Sequence, residues 1–321
     1  MINIDNISVE KKYIHIRVER PESSKINNWD RLCLDFLGAD KKITNAHYIN
    51  GLKKSNEILV RNIPIPKMAS SLKILPIGEF NVTAILFDKV RYYTNFEQKL
   101  FADQLHSFNG QYYFQYPSKV PPKKIIITLP GMGNNIDHET QYSIMTMRTF
   151  PFGDDVFRIH LMDLFWANGS CLLFNEDKED NINNIIALID GLLNKYDLTV
   201  SDCHIITASK GCFAGFEIMK RRSYRFAFFA PITNVDRFNE SSPVMRFISR
   251  EVLNNGYRFF KPKFNDHVVV YTSHKDPGID LELLSNCCSV VDPNLMHAQI
   301  TKRFISEYLS SEKLIADNIS P

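Results

Sequence analysis

The chain has 321 residues, 44% hydrophobic and 23% charged, an ordinary globular composition with material for one large or two modest domains. With 38 basic against 36 acidic side chains the net charge is +2, which builds no basic field for nucleic acid or an anionic membrane. No run of about 18 apolar residues is present, which argues against a helical membrane span.

The N-terminus, Met1-Ile2-Asn3-Ile4-Asp5, lacks the apolar stretch of a secretory signal, and a cytoplasmic location is expected. Up to about residue 118 the apolar pattern has short period. Ile14, Ile16 and Val18 alternate with polar neighbours, as in a half-buried strand. Strands are also predicted at Ile58 to Val60, Val82 to Phe87, Val90 to Tyr93 and Gln111 to Phe114, with one short helix from Trp29 to Leu37. Residues 1–118 read as a β-rich N-terminal domain or extension. The proline-rich stretch from Tyr116 to Lys124 reads as an extended linker, and 119–321 as a second domain.

In that second part the pattern alternates between strand and helix. Ile125 to Leu129 and Val156 to Met162 are apolar enough for strands buried on both faces. Ile182, Ile185, Ile186, Ile189, Leu192 and Leu193 recur at helical spacing and predict a helix over about 181–195. Strands follow at Cys203 to Ala208, Arg225 to Ala230 and His267 to Thr272, with a helix after the first of them and a last helix over about 297–310. Such alternation predicts an α/β fold with a mostly parallel sheet covered on both faces. The six cysteines, Cys33, Cys171, Cys203, Cys212, Cys287 and Cys288, form no C-x-x-C pair and fit reduced thiols. His138 and Glu139 lack the H-E-x-x-H spacing of a zinc helix, so no metal is expected.

One stretch carries chemistry. In Thr207-Ala208-Ser209-Lys210-Gly211 an apolar strand ends at a serine, and a helix of small and apolar residues follows. This is the layout of a nucleophile elbow, whose flanking positions must be small because strand and helix backbones crowd there. Thr207 stands where the usual G-x-S-x-G pattern has its first glycine. A serine hydroxyl needs a base within hydrogen-bond reach and an orienting acid behind the base. Candidates lie downstream: Asp276 on the loop after the 267–272 strand, and His297 at the start of the last helix. His274 is a competing base, and Asp280 and Asp236 are reserve acids.

On these residues, from about 123 to 312, the chain resembles the α/β-hydrolase superfamily, in which the chain order is nucleophile, acid, histidine. The resemblance implies Ser209 as nucleophile, Asp276 as acid and His297 as base. It also implies an oxyanion hole from the glycine loop after the first strand of this part, at Gly131 and Met132, and from the backbone N–H of Lys210. The β-rich N-terminal part joined to a hydrolase-like part is similar to glycan-modifying proteins of accessory secretion and capsule synthesis. That similarity implies O-acetyl transfer to a bacterial surface or capsular polysaccharide, with acetyl-CoA as co-substrate and no resident cofactor. Aromatic residues make up 12% of the chain; core packing explains most of that share, and aromatic faces also suit sugar rings. A serine esterase or deacetylase acting on a small ester uses the same residues, and a non-catalytic partner in a biosynthetic or secretion assembly keeps only the fold. The oligomeric state is not legible.

Overall fold

The computed structural model describes residues 1–4, 11–23, 31–50, 57–66, 69–90, 105–131, 150–163, 170–175, 179–237, 249–250, 252–254, 256–259, 261–264 and 266–315. Met132, Gly133, His138 and Glu139, and all but Val90 of the strand expected at 90–93, lie outside these residues.

The first seven strands are β1 (Ile2–Asn3), β2 (Tyr13–Glu19), β3 (Arg31–Leu37), β4 (Ile43–Asn50), β5 (Glu57–Pro64), β6 (Ser71–Ile77) and β7 (Asn81–Asp88). They form two antiparallel sheets, in the orders β1-β6-β3-β4 and β5-β2-β7. The two sheets share one core, built from Ile14, Ile16 and Val18 of β2, Leu32, Leu34 and Phe36 of β3, and Val60, Ile63, Leu72 and Phe80. The helix expected from Trp29 to Leu37 is therefore corrected. Leu32, Leu34 and Phe36 recur every second residue, and period two places them on one face of a strand paired on both sides.

The second body is an eight-stranded sheet. Its strands are β8 (Leu105–Phe108), β9 (Gln111–Tyr116), β10 (Lys124–Leu129), β11 (Val156–Leu161), β12 (Cys203–Ala208), β13 (Arg225–Phe229), β14 (Val268–Thr272) and β15 (Cys288–Val291). The order is β15-β14-β13-β12-β10-β11-β9-β8. The six strands from β15 to β11 run parallel, and β9 and β8 close the edge as an antiparallel hairpin. The proline-rich segment 117–123 thus joins β9 to β10 within one sheet, held by backbone bonds from Lys119 and Val120 to Asp154 and from Lys123 to Asp155.

Alternation along each parallel strand explains the continuous apolar runs. Ile125, Ile127 and Leu129 of β10 enter one core while Ile126 enters the other. Phe226 and Phe228 of β13 likewise oppose Ala227 and Phe229. Helices α1 (Ile182–Tyr196) and α2 (Cys212–Arg221) cover the first face, and α3 (His297–Ser311) covers the second with Ile300, Phe304, Ile305, Tyr308 and Leu309. Burying each such large side chain contributes about 1.5–3 kcal/mol, so neither helix layer is dispensable. The architecture is α/β-hydrolase-like: a mostly parallel, doubly covered sheet accompanied by β-rich antiparallel sheets. No helix among the described residues is long and apolar enough to cross a membrane.

The chain enters the parallel sheet at β10, moves to β11 on one side, then crosses to β12 on the other. Connections leaving in opposite directions open a crevice at the carboxyl ends of β10 and β12, where ligands bind in open α/β sheets.

Candidate active site

Ser209 stands at that crevice, one residue beyond β12. Its φ is +46°, a left-handed conformation that costs a non-glycine residue about 1–3 kcal/mol and is kept only where the surroundings enforce it. The enforcing contacts are close. A Cβ on Gly211 would lie 2.5 Å from Leu129 O and 2.6 Å from Pro130 O, so this turn accepts only glycine. A Cβ on Gly131 would lie 3.1 Å from Ala208 O and 3.5 Å from Ser209 Cβ. The turn after β10 therefore runs directly against the serine. Residues 209–211 make one 3₁₀ turn, and α2 continues from it.

Ser209 Oγ is 2.7 Å from His297 Nε2. His297 Nδ1 is 3.0 Å from Asp276 Oδ1 and 2.9 Å from Oδ2. An ionised carboxylate only accepts hydrogen bonds, so this contact places the ring proton on Nδ1 and leaves Nε2 as an acceptor facing the hydroxyl. The Asp276 side chain has no exposed surface while that of His297 is 20% exposed, so Asp276 is shielded and His297 opens toward solvent.

Each partner is fixed locally. Asp276 lies four residues beyond β14, where its own N–H donates to Ser273 O and its Oδ1 accepts from Gly278 N–H at 2.8 Å. Gly278 O in turn accepts from the N–H groups of Thr233 and Asn234, which ties the loop to the segment after β13. His297 is the first residue of α3, and Gln299 Oε1 reaches back to accept from Met296 N–H at 2.9 Å. The three side chains named from sequence thus meet. The competing base His274 is exposed. Asp280 instead caps the turn Leu281–Asn286 through Glu282 N–H, and Asp236 is exposed.

Of the oxyanion candidates, Gly131 lies beside Ser209, Lys210 follows it in the elbow, and Met132 is outside the described residues. The Lys210 side chain does something the sequence reading missed. It is fully buried, and its Nζ lies 2.6 Å from Asp163 Oδ2, itself fully buried. Asp163 comes two residues after β11, at the same carboxyl edge. An acid at the end of an apolar parallel strand was the signal that could have flagged it.

No family model matches the chain, and no curated protein matches it. Several solved structures are similar to it. The capsule O-acetyltransferase of Neisseria meningitidis serogroup A is 15% identical, with 65% of this chain and 93% of that one covered and a TM-score of 0.46. The Glycosylation Associate Protein (Gap123) complex from Streptococcus agalactiae is 12% identical, with 95% and 65% covered and a TM-score of 0.42. A putative esterase from Staphylococcus aureus is 10% identical, with 65% and 81% covered and a TM-score of 0.44.

Proposed function

We propose that the protein is a serine acyltransferase working through an acyl-enzyme on Ser209. The observation that carries this reading is the continuous relay from Ser209 Oγ through His297 to both oxygens of Asp276. Nε2 of His297 takes the hydroxyl proton as Oγ attacks the acyl carbonyl, and the Asp276 carboxylate stabilises the imidazolium that forms. The imidazolium then protonates the leaving group as the tetrahedral intermediate collapses to the ester. In the second half an acceptor hydroxyl loses its proton to the same Nε2 and attacks, and Ser209 leaves with the proton returned. The N–H groups of Lys210 and of the turn at Gly131 and Met132 are the proposed donors to the oxyanion, each worth about 3 kcal/mol in such sites.

The acceptor we propose is a sugar hydroxyl of a surface or capsular glycan, with acetyl-CoA as donor. Its support is the resemblance in architecture to glycan-modifying proteins, a β-rich part joined to a hydrolase-like part. Purified protein incubated with acetyl-CoA and capsule-type oligosaccharide should add 42 Da per acetyl group to the glycan, a shift fixed by replacing a hydroxyl hydrogen with acetyl. Ready hydrolysis of p-nitrophenyl acetate with no acetylated glycan would make it an esterase. Absence of both reactions would leave the non-catalytic partner.

A further inference from the structure

The serine, its base and its acid account for the relay but not for the buried charge beside it. Lys210 and Asp163 have no exposed side-chain surface, yet they form an ion pair at 2.6 Å immediately after the nucleophile. Burying two charges is expensive and returns little net stability compared with apolar residues of the same size, so such a pair is weak as a fold-stabilising device. A reason for it must lie in what it holds.

What it holds is the elbow. Asp163 Oδ1 accepts from Ser170 N–H at 2.8 Å, and Ser170 Oγ lies 3.4 Å from the same oxygen. Ser170 Oγ also donates to Phe174 O at 2.6 Å, closing a turn in which Cys171 and Leu172 both take positive φ, at 57° and 61°. Two consecutive left-handed non-glycine residues are strained and persist only where the surroundings over-determine them. Here they do. Asn181 Nδ2 donates to Leu172 O at 3.1 Å, and Asn181 N–H donates to Leu173 O at 2.9 Å. Asn181 Nδ2 also donates to Gln111 Oε1, and Gln111 Nε2 donates to Met162 O, the residue before Asp163. Asn181, Gln111, Ser170, Asp163 and Lys210 are all buried. A buried, hydrogen-bonded polar frame therefore runs from β9 and the start of α1 to the side chain of Lys210, the residue next to the nucleophile.

We propose that Asp163 and Lys210 are positioning residues. Their ion pair fixes the peptide between Ser209 and Lys210, so that its N–H meets the developing oxyanion without reorganising. The inference rests on the serine reading. It goes beyond that reading by giving the Lys210 side chain a task and by naming Asp163 and the 170–174 turn as part of the site.

The test replaces the pair with apolar groups of similar size, Lys210→Met together with Asp163→Leu, a change that buried ion pairs commonly tolerate. Steady-state turnover of p-nitrophenyl acetate is measured with the melting temperature as control. A positioning role predicts a folded protein whose kcat and kcat/KM fall together, by about 10²–10³, at unchanged KM, as for loss of an oxyanion donor. Turnover within about threefold of wild type, or a loss carried by KM alone, overturns the proposal. A double variant that does not fold also overturns it, because the pair then serves the fold. An unreactive wild type is a separate result that defeats the serine reading itself and this inference with it.

Discussion

Thr207 and Gly215 exchange volume across the elbow: the Thr207 Cγ2 methyl lies 2.7 Å from where a Cβ on Gly215 would stand. The departure from the G-x-S-x-G pattern at 207 is thus matched by a glycine on the facing turn of α2. Thr207 Oγ1 meanwhile meets Cys212 Sγ at 3.2 Å, fastening the strand end to the helix start. Gly215→Ala should destabilise by about 1–3 kcal/mol through overpacking against Thr207 and Phe228. Combined with Thr207→Ser, which removes the methyl and keeps the hydroxyl, the cost should fall below the sum of the two single changes by about 1 kcal/mol. Urea unfolding of the four proteins measures that coupling, and strict additivity would show that the two residues do not share the space.

His297→Ala should lower acyl turnover by on the order of 10⁶, the usual cost of losing a base that acts as a unit with its serine. His274→Ala should change it by no more than a few fold, because that side chain is exposed and Nε2 of His297 already faces Ser209. Kinetics of both variants on one ester separate the two candidates, and equal losses would contradict the assignment.

Asp276→Asn keeps the size of the side chain but replaces an acceptor-only group with one that also donates. The ring proton then loses its hold on Nδ1, and a neutral amide in this place should cost about 10⁴ in kcat. Gly278 N–H retains an acceptor at Oδ1, so the melting temperature should move far less than the activity. A variant with near-native turnover would remove Asp276 from the relay.

Most of the parallel sheet and the three meeting side chains were legible because both announce themselves locally. Strands buried on two faces, such as Ile125–Leu129 and Cys203–Ala208, are continuous apolar runs, and the order Ser209, Asp276, His297 follows them. The short strands β1 and β15 carry too few residues to show a period. The strand Arg31–Leu37 looked helical because Leu32, Cys33, Leu34, Phe36 and Leu37 are all apolar, and only pairing with β4 and β6 decides between the periods. Asp163 showed only as an acid after an apolar strand; its pairing was missed because its partner is 47 residues away, and charge pairing at that range leaves no local pattern.

His204, on β12, gives the fold an acid-side weakness. Burial, then the nearby Lys124 and Arg225 charges, push its pKa from 6.5 down to about 3, and its Nδ1 lies 3.0 Å from Tyr308 Oη. Between those values the unfolded chain takes up a proton that the folded chain refuses. Stability should therefore fall as pH drops from about 6.5 toward 3, by up to about 1.4 kcal/mol per pH unit from this group. Above about 6.5 the group should contribute no pH dependence. His204→Gln should flatten the decline of the denaturation midpoint across that window. An unchanged slope would show that other groups cause it.

If Ser209 is an activated nucleophile, a fluorophosphonate probe will react at its hydroxyl. Intact-mass analysis of the wild type should show one adduct, peptide mapping should place it on Ser209, and folded Ser209→Ala should carry none. A wild type that stays unlabelled, or a Ser209→Ala protein that labels equally, would contradict it.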